Sequence, residues 1–492
     1  MRQKLKKGLC IALALADWSA SAQNKIMTER DLVRLSQENS ILGKAYDAQA
    51  AGKAAALAMT QEMYGARLNA SASQLKSGES PLTEFQPTMT PVNEYSATVL
   101  QKMPYGISLE GGVFAGQRSA MDRSFENATQ VGAKLSLRIE LLKNRFGSID
   151  SAQIDAAESG RKRGELERRI ARKQHEINIR KVFWSLVANW QSIELSKKLQ
   201  ESATRQLKYA EDRRRIGAAD IGEIARYKSQ LQSRVGSVLL FEHEREMLWQ
   251  TIQRQIRDFN PREYRLDGSF LDSSQRAITQ CLQKVLATKT IDRDASLFDE
   301  VIDAYKAELT NEIKVTEQHG SPQLALFGVS QMSGSNNSYS AAFDHLVDKK
   351  QTSTVIGLEL DIPLGSKATH TEQALIQAKR NEIEAQYEQL QSDLTASFQT
   401  MDSNLLILQK GLRNQADTST NLTISYRDTL KKFDQGRVPL SVVITEQDAL
   451  FQSELQELTL RKQITHTLLD YFAVFSEFPC SWNQINSNPS SN

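Results

Sequence analysis

The sequence predicts a mostly helical protein with a smaller β part, in which one design occurs twice along the chain. The first observation is a helical run of about 70 residues from Gly147 to a break at residues 215–221, repeated from Gly365 to a break at residues 435–441. At 1.5 Å per residue each run measures roughly 105 Å, whereas ordinary globular helices rarely exceed about 20–25 residues. The other two observations are strand-like segments before each run and an apolar seam along it. A duplicated helix of this length suits spanning a distance better than enclosing a small active site.

Composition narrows the class of protein. The chain has 492 residues, with 61 Lys and Arg against 59 Asp and Glu, so its charge gives no sign of nucleic-acid binding. Aromatic residues make up 7% and there are 10 prolines, which suits long helices and coiled coils. The sequence contains no apolar stretch of about 18 residues or more, so we expect no transmembrane helix in the mature chain.

Residues 1–22 have the pattern of a secretory signal peptide. A basic start is followed by the apolar segment 8–16 and by an A-x-A cleavage motif at residues 20–22, which predicts Gln23 as the mature start. Cys10 precedes the apolar core of this signal, which is wrong for a lipoprotein site. We therefore expect a secreted chain without a lipid anchor.

Two further cysteines, Cys281 and Cys480, would enter an oxidising compartment. They either form a disulfide with each other or remain two unpaired thiols. The sequence does not set the distance between them, so both alternatives stay open.

The first half of the chain shows a change of hydrophobic period. Residues 28–64 have helical character, with Thr28 as a candidate N-cap, and from Leu68 the period becomes two. Three more strands are predicted, namely Tyr95–Met103, Ile107–Phe114 and Gln130–Leu141. In the last of these one face is apolar and the other carries charge. A soluble sandwich would show this pattern, and so would a membrane barrel with lipid outside and water inside.

The second half restates this order with fewer strands. The predicted elements are a helix over Ser296–Gln318, a strand from Leu324, a polar loop over Asn336–Asp348 and a returning strand over Thr352–Leu364. The β part takes about 72 residues in the first copy and about 39 in the second, and the excess matches one additional hairpin. We assign it to Asn93–Ser119, turning at residues 104–106. Whether it enters a membrane is left open.

Both long runs carry apolar residues at alternating spacings of four and three, the seam of a coiled coil. The seam residues are Ile179, Phe183, Leu186, Trp190 and Ile193 in the first run, and Leu394, Phe398, Met401, Leu405, Leu408 and Leu412 in the second. The rest of the surface is polar, so such helices can pack side by side and still line water. A soluble coiled coil would have the same seam.

Taken together, these elements resemble the TolC-like outer-membrane efflux and secretion proteins over about residues 28–478. The most specific features are the strand-to-helix junctions at residues 137–147 and 358–364 and the glycine breaks at residues 209–221 and 426–441. The first junction departs from the usual Pro-Leu of the family by having Glu140.

The resemblance implies a homotrimer in the outer membrane of a Gram-negative bacterium. Three protomers would share one transmembrane β-barrel and one periplasmic tunnel of long antiparallel coiled-coil helices. The assembly would be a passive duct that contacts outer-membrane lipid and docks on a periplasmic adaptor (membrane fusion) protein and an inner-membrane pump or ABC exporter. It would serve tripartite efflux or type I secretion.

On this basis the chain divides into five parts. They are the signal peptide 1–22, a first repeat 23–258 with its tip near residue 217, an equatorial segment 259–290, a second repeat 291–478 with its tip near residue 436, and a disordered tail 479–492.

We find no catalytic or metal-binding motif in the sequence. A Walker-type phosphate loop is absent, and His243-Glu244 fails the zinc pattern H-E-x-x-H because residue 247 is methionine. The cysteine spacing offers no metal site. We therefore expect no enzymatic activity, no cofactor and no metal.

The resemblance makes the two glycine breaks the tips that meet the adaptor. The predicted docking residues are Gly217, Ala218, Asp220, Ile221, Gly436, Arg437, Leu440 and Ser441. Both glycines suit a left-handed helix end, while Asp220 and Ser441 could cap the next helices. Leu440 and Ile221 would supply apolar contacts, and Arg437 directional hydrogen bonds. The alternative is that these are simply good turn residues.

Family members commonly close the tip end of the tunnel with acidic side chains. The candidates for gate charges are Asp220, Glu223, Glu446, Asp448, Arg214 and Arg215. Three copies of one carboxylate around a narrow axis would repel each other and bind cations. A solvated helix face is the alternative for each of them.

A second class of protein remains open, namely a periplasmic coiled-coil adaptor or structural rod without a pore. The duplicated strand segments argue against it. The cargo, whether drug, metal or protein, is not encoded in any motif that we recognise.

Overall fold

A computed structural model describes residues 25–78, 89–120, 128–266, 268, 271–287, 297–318, 321–349, 351–362 and 366–474. The predicted signal peptide, the tail 479–492, Ser296, Cys480 and residues 363–365 lie outside the described residues. The helices are α1 (Glu29–Asn39), α2 (Ile41–Glu62), α3 (Ser148–Arg215), α4 (Ile221–Gln255), α5 (Leu271–Ala287), α6 (Leu297–Glu317), α7 (Tyr339–Asp348), α8 (Ser366–Asp434) and α9 (Leu440–Val474). The strands are β1 (Lys25–Ile26), β2 (Ala66–Leu75), β3 (Met89–Met103), β4 (Ile107–Ala120), β5 (Ala128–Glu140), β6 (Tyr264–Arg265), β7 (Gln323–Asn336) and β8 (Gln351–Asp361).

The prediction of a mostly helical chain with a β part is confirmed. Helix α3 has 68 residues and α8 has 69, and each is followed after a short turn by a helix of 35 residues. The turns contain Gly217 (φ +76°) and Gly436 (φ +69°). Both glycines adopt the left-handed conformation that ends a helix, and that non-glycine residues adopt only at a cost in energy.

The predicted single helix over residues 28–64 is wrong in one respect, because it is broken at Ser40. Thr28 does cap α1, since its hydroxyl accepts a hydrogen bond from the Asp31 amide at 3.2 Å. At Ser40 the backbone is extended (φ −64°, ψ 128°) and forms an isolated antiparallel bridge with Ile256. The Ser40 hydroxyl then accepts from the Gly43 amide at 2.8 Å, which starts α2.

The chain divides into two compact units. The first comprises residues 1–47, 168–299 and 392–492, and the second comprises residues 48–167 and 300–391. The first unit contains the main apolar core, which includes the predicted seam residues Ile179, Phe183, Leu186 and Leu405, all fully buried. None of the described helices combines the length with the apolar sequence that a membrane-spanning helix needs.

The second unit contains a six-stranded antiparallel sheet in the order β2-β3-β4-β5-β7-β8. All predicted strands are confirmed, although β3 begins at Met89 where Tyr95 was predicted and β4 ends at Ala120 where Phe114 was predicted. The additional hairpin is β3–β4, which turns at residues 104–106 as predicted and lies inside the sheet between β2 and β5.

The predicted polar loop over Asn336–Asp348 is wrong, because residues 339–348 form helix α7. The Ser338 hydroxyl accepts from the Ala341 amide at 3.4 Å and caps the helix. Helix α7 lies against the sheet at Gly334, where an added Cβ would come within 2.1 Å of the Ala342 carbonyl oxygen. The contact therefore requires a glycine at this position of β7.

Candidate functional site

The two glycine turns, which lie in the first unit, are joined by a small apolar cluster. Its buried members are Ala210, Tyr227, Leu440 and Val443, and its partly buried members are Leu207, Ile224, Tyr426, Phe433 and Ile444. Tyr209 and Phe433 add an edge-to-face ring contact with centroids 5.6 Å apart. The ends of α3, α4, α8 and α9 therefore form one structural element, which we call the paired turns.

The first turn is closed by backbone hydrogen bonds and a cap. The Gly217 amide donates to the Arg214 carbonyl and the Ala218 amide to the Arg213 carbonyl, both at 2.9 Å. Asp220 then accepts from the Glu223 amide at 2.6 Å, so its predicted role as an N-cap of α4 is confirmed.

The second turn has the same glycine geometry but a different helix start. The Gly436 amide donates to the Phe433 carbonyl at 2.8 Å, and α9 begins at Leu440. The prediction that Ser441 caps this helix is wrong, because Ser441 lies within the first turn. The carbonyl of Pro439 accepts from the Val442 amide at 3.1 Å instead.

The exposed surface of the paired turns differs from the expectation in one residue. Leu440 is only 6% exposed and packs in the apolar cluster, so it supports the turn from inside and does not offer a contact. Ile221 is 68% exposed, as predicted, and Ile216 is 80% exposed. Sequence reasoning did not select Ile216. The signal for it was an apolar residue directly before a C-terminal glycine.

The candidate gate charges are held by different partners and do not converge within one chain. Glu223 pairs with Arg213 at 3.3 Å and Arg215 pairs with Asp212 at 2.5 Å. Glu446 accepts from the Ser425 hydroxyl at 2.8 Å. Their role as a gate stays a prediction.

Asp448 forms an ion pair with Arg234, a residue that sequence reasoning missed. The Arg234 side chain is 10% exposed. Nothing in the local sequence signals the pair, because its two members are 214 positions apart. Arg214 is exposed at the first turn.

Cys281 is buried in the core of the first unit and is disulfide-bonded. Because Cys480 lies outside the described residues, its pairing with Cys281 stays a prediction.

The six-stranded sheet in the second unit has two chemically different faces, as the alternation in its strands predicts. The pairing register places these exposed apolar residues on one face: Leu68, Tyr95, Val99, Val113, Leu135, Leu137, Ile356, Leu358 and Leu360. We call this the apolar face. Monomeric soluble proteins rarely expose an apolar patch of this extent. The apolar face therefore indicates contact with lipid or with another protein.

The opposite face, which we call the polar face, carries most of the charges of the sheet. Its cross-strand ion pairs are Arg138–Glu359 (2.5 Å), Arg118–Glu94 (3.5 Å) and Lys134–Glu110 (4.0 Å). A cavity of 610 Å³ lies over this face and is lined by residues of β2, β3, β4, β5 and β7. The sheet therefore curves around its polar side and keeps the apolar face outside.

Asp150 fixes the sheet to the start of α3. Its carboxylate accepts from the Tyr64 hydroxyl at 3.0 Å, Asn144 Nδ2 at 2.6 Å and the Gly106 amide at 3.2 Å, and it pairs with Lys102 Nζ at 2.9 Å. Burial acts to raise the pKa of Asp150, but the hydrogen bonds and the charge of Lys102 outweigh it, so this pKa lies below its usual value.

We expect Asp150→Asn to destabilise this junction by about 1.5–3 kcal/mol at neutral pH, since charge-assisted hydrogen bonds are lost. A lowered pKa means that the carboxylate stabilises the fold above about pH 4, and that this contribution disappears as the pH falls through the lowered pKa. Melting curves of both proteins at pH 7 and near pH 3 test this, and the difference should shrink in acid. The exposed Asp155, substituted in the same way, is the control. A difference that persists in acid would contradict the assignment.

The fold as a whole matches solved structures of outer-membrane proteins. Solved structures with this fold include the outer membrane protein VceC of Vibrio cholerae, at 12% identity and a TM-score of 0.65, covering 91% of this chain and 97% of that one. They also include the outer-membrane channel CmeC of Campylobacter jejuni, at 16% identity and a TM-score of 0.64, covering 92% of this chain and 87% of that one. The open state of the MtrE outer-membrane channel of Neisseria gonorrhoeae matches at 11% identity and a TM-score of 0.58, covering 92% of this chain and 93% of that one.

No protein-family model and no curated protein matches the sequence. At these identities the structural likeness establishes the fold, and at that level the resemblance inferred from the sequence is confirmed.

Proposed function

We propose that this chain is a subunit of an outer-membrane channel of a Gram-negative bacterium, and that cargo passes through it without covalent chemistry. The observation that carries the proposal is the two-faced, curved sheet, with exposed apolar side chains outside and ion pairs around a cavity inside. Lipid outside and water inside would satisfy both faces. The fold shared with VceC and CmeC supports the same role.

The sheet has two edges that can join copies of the chain. Within the described residues β2 and β8 each pair with one strand only, and the alternating order of six strands makes them antiparallel to each other. Strand β2 of one copy can therefore pair with β8 of the next. A closed ring leaves no unpaired backbone in the lipid. We propose the homotrimer that the resemblance implies.

The long helical hairpins would form the shared periplasmic tunnel, with the paired turns as its docking end. In this proposal the exposed Ile216, Ile221 and Arg437 meet a periplasmic adaptor, which connects the channel to an inner-membrane pump or ABC exporter. Docking would open a gate made by some of the predicted charges. Efflux and type I secretion both fit such a duct. A periplasmic rod without a pore would leave the apolar face without a partner.

Membrane insertion and conductance test the channel proposal directly. We expect the protein in the outer-membrane fraction, and discrete conductance steps when the purified protein is added to planar bilayers. A protein that is soluble in the periplasm and does not conduct would contradict the proposal and favour the rod.

The docking role predicts that Gly436→Pro abolishes export. Proline cannot adopt the φ of +69° found here, so the second turn would be lost. Gly436→Asn is the matched control, because asparagine tolerates the left-handed conformation and an added Cβ at this position meets no atom within 4 Å. Export should fail in the proline variant and persist in the asparagine variant at equal protein levels. Undiminished export by both would rule out this turn as the docking site.

A further inference from the structure

The β3–β4 hairpin makes the two halves of the chain unequal. The first half supplies β2, β3, β4 and β5 to the sheet, and the second half supplies β7 and β8. We propose that this hairpin is part of the wall of the membrane cylinder, so that each copy contributes six strands and the mouth is correspondingly wide. The inference rests on the channel proposal and adds to it the size of cargo that the barrel can pass.

The pairing of the hairpin is continuous on both sides. Strand β3 pairs with β2 from Gln101 opposite Ala66 to Val92 opposite Leu75. Strand β4 pairs with β5 from Ile107 opposite Ile139 to Arg118 opposite Ala128. A hairpin folded outside the wall would leave β2 and β5 free to pair directly with each other. Here two full strands, β3 and β4, lie between them.

The hairpin also continues both faces of the sheet. Tyr95, Val99 and Val113 are exposed on the apolar face in line with neighbours on β2 and β5. On the polar face Glu94 pairs with Arg118 inside the hairpin, and Glu110 pairs with Lys134 of β5. A wall segment needs this division between lipid and water, while a hairpin in solvent does not.

The turn of the hairpin is anchored where the sheet meets α3. Asp150, whose side chain is 2% exposed, binds Lys102 near the end of β3 and the Gly106 amide on this turn. Gly147 lies against the same turn so closely that an added Cβ would be 2.1 Å from the Pro104 carbonyl oxygen. The turn end of the hairpin, which lies next to the start of α3, is thus fixed level with the start of β2 and the end of β5.

Three copies of the sheet would give a cylinder of about 18 strands, within the size range that leaves an aqueous channel. Since barrel diameter grows about linearly with strand number, the mouth would be about 1.5 times as wide as with four strands per copy. Wide cargo, such as a partly folded polypeptide, could then pass the membrane part.

The sequence allows the hairpin to be removed cleanly. Strands β2 and β4 run in the same direction, and the shared register puts Ala66 level with Leu109 and Leu75 level with Arg118. Deletion of residues 79–127 would let β2 take the place of β4 beside β5 with both faces preserved. Residues 76–78 would remain as a three-residue hairpin loop between Leu75 and Ala128.

The test measures access to the polar face from outside intact cells. Ser136→Cys on β5 is reacted with maleimide–polyethylene glycol of increasing size, in the full chain and in the deletion variant, with the parent lacking this substitution as the blank. We expect the diameter limit for labelling to fall by about one third in the deletion variant. A fall in this limit reports a narrower wall. An unchanged or larger limit would overturn the inference. Lys102→Met controls for the lost contact with Asp150 and should leave the limit unchanged.

A second measurement uses the full chain and needs no deletion. Glu94→Cys and Tyr95→Cys are neighbours on β3 that face the polar and the apolar side. If the hairpin is part of the wall, a small water-soluble maleimide should label the Glu94→Cys variant and not the Tyr95→Cys variant. Equal labelling of both in membrane-inserted protein would overturn the inference alone. Failure of the full chain to reach the outer membrane would overturn both this inference and the channel proposal.

Discussion

Replacing Leu135 with lysine is expected to prevent assembly in the outer membrane, while replacing the next residue, Ser136, with lysine is expected to be tolerated. Leu135 is 54% exposed on the apolar face of β5, and Ser136 lies on the polar face. A lysine that faces lipid near the middle of a bilayer costs about 2–4 kcal/mol per copy. On the polar face the same charge would lie in water opposite Glu110.

The measurement is the amount of heat-resistant oligomer in the outer-membrane fraction of cells that express each variant at the same level. We expect a loss of most of the oligomer for Leu135→Lys and near-normal amounts for Ser136→Lys. Equal effects of the two substitutions would mean that the two faces do not separate lipid from water.

The second large effect is expected at Gly147, which lies between the sheet and α3. Gly147 and Gly217 have the same φ of +76°, so Gly→Ala places the same backbone strain, about 1–2 kcal/mol, at either position. The surroundings differ, because a Cβ at Gly217 meets nothing within 4 Å and a Cβ at Gly147 would lie 2.1 Å from the Pro104 carbonyl oxygen. This contact cannot be relieved without moving backbone.

We therefore expect Gly147→Ala to lower stability by more than about 3 kcal/mol, and Gly217→Ala by no more than the strain alone. Thermal melting of the purified proteins in detergent, with the yield of oligomer as a second readout, tests this. Equal melting temperatures for the two variants would show that the β3–β4 turn can move away from Gly147.

The sequence predicted those elements whose signal is local and periodic. The long helices, the glycine turns and the alternating strands each depend on residues a few positions apart, and the structure contains all of them, with the long helices close to their expected bounds and β3 and β4 longer than predicted. Asp220 is of the same kind, because a cap contacts an amide three residues away.

Two of the misses depend on contacts between distant segments. The break at Ser40 is set by its bridge to Ile256, and the burial of Leu440 is set by Ala210 and Tyr227 across the paired turns. Helix α7 differs from these two, because its cap Ser338 lies three residues before the Ala341 amide and was a local signal that sequence reasoning missed, whereas its contact with Gly334 depends on the packing of the strand. No pattern within one segment reports such contacts.

The four left-handed glycines place the two ends of the design under different evolutionary constraints. At Gly106 and Gly147 an added side chain would collide with backbone within 2.4 and 2.1 Å, whereas Gly217 and Gly436 have open space around them. Among natural variants we therefore expect the first pair to be nearly invariant and the second pair to accept asparagine or similar residues. The paired turns could thus change in sequence to match a new partner, while the junction between the sheet and α3 stays fixed.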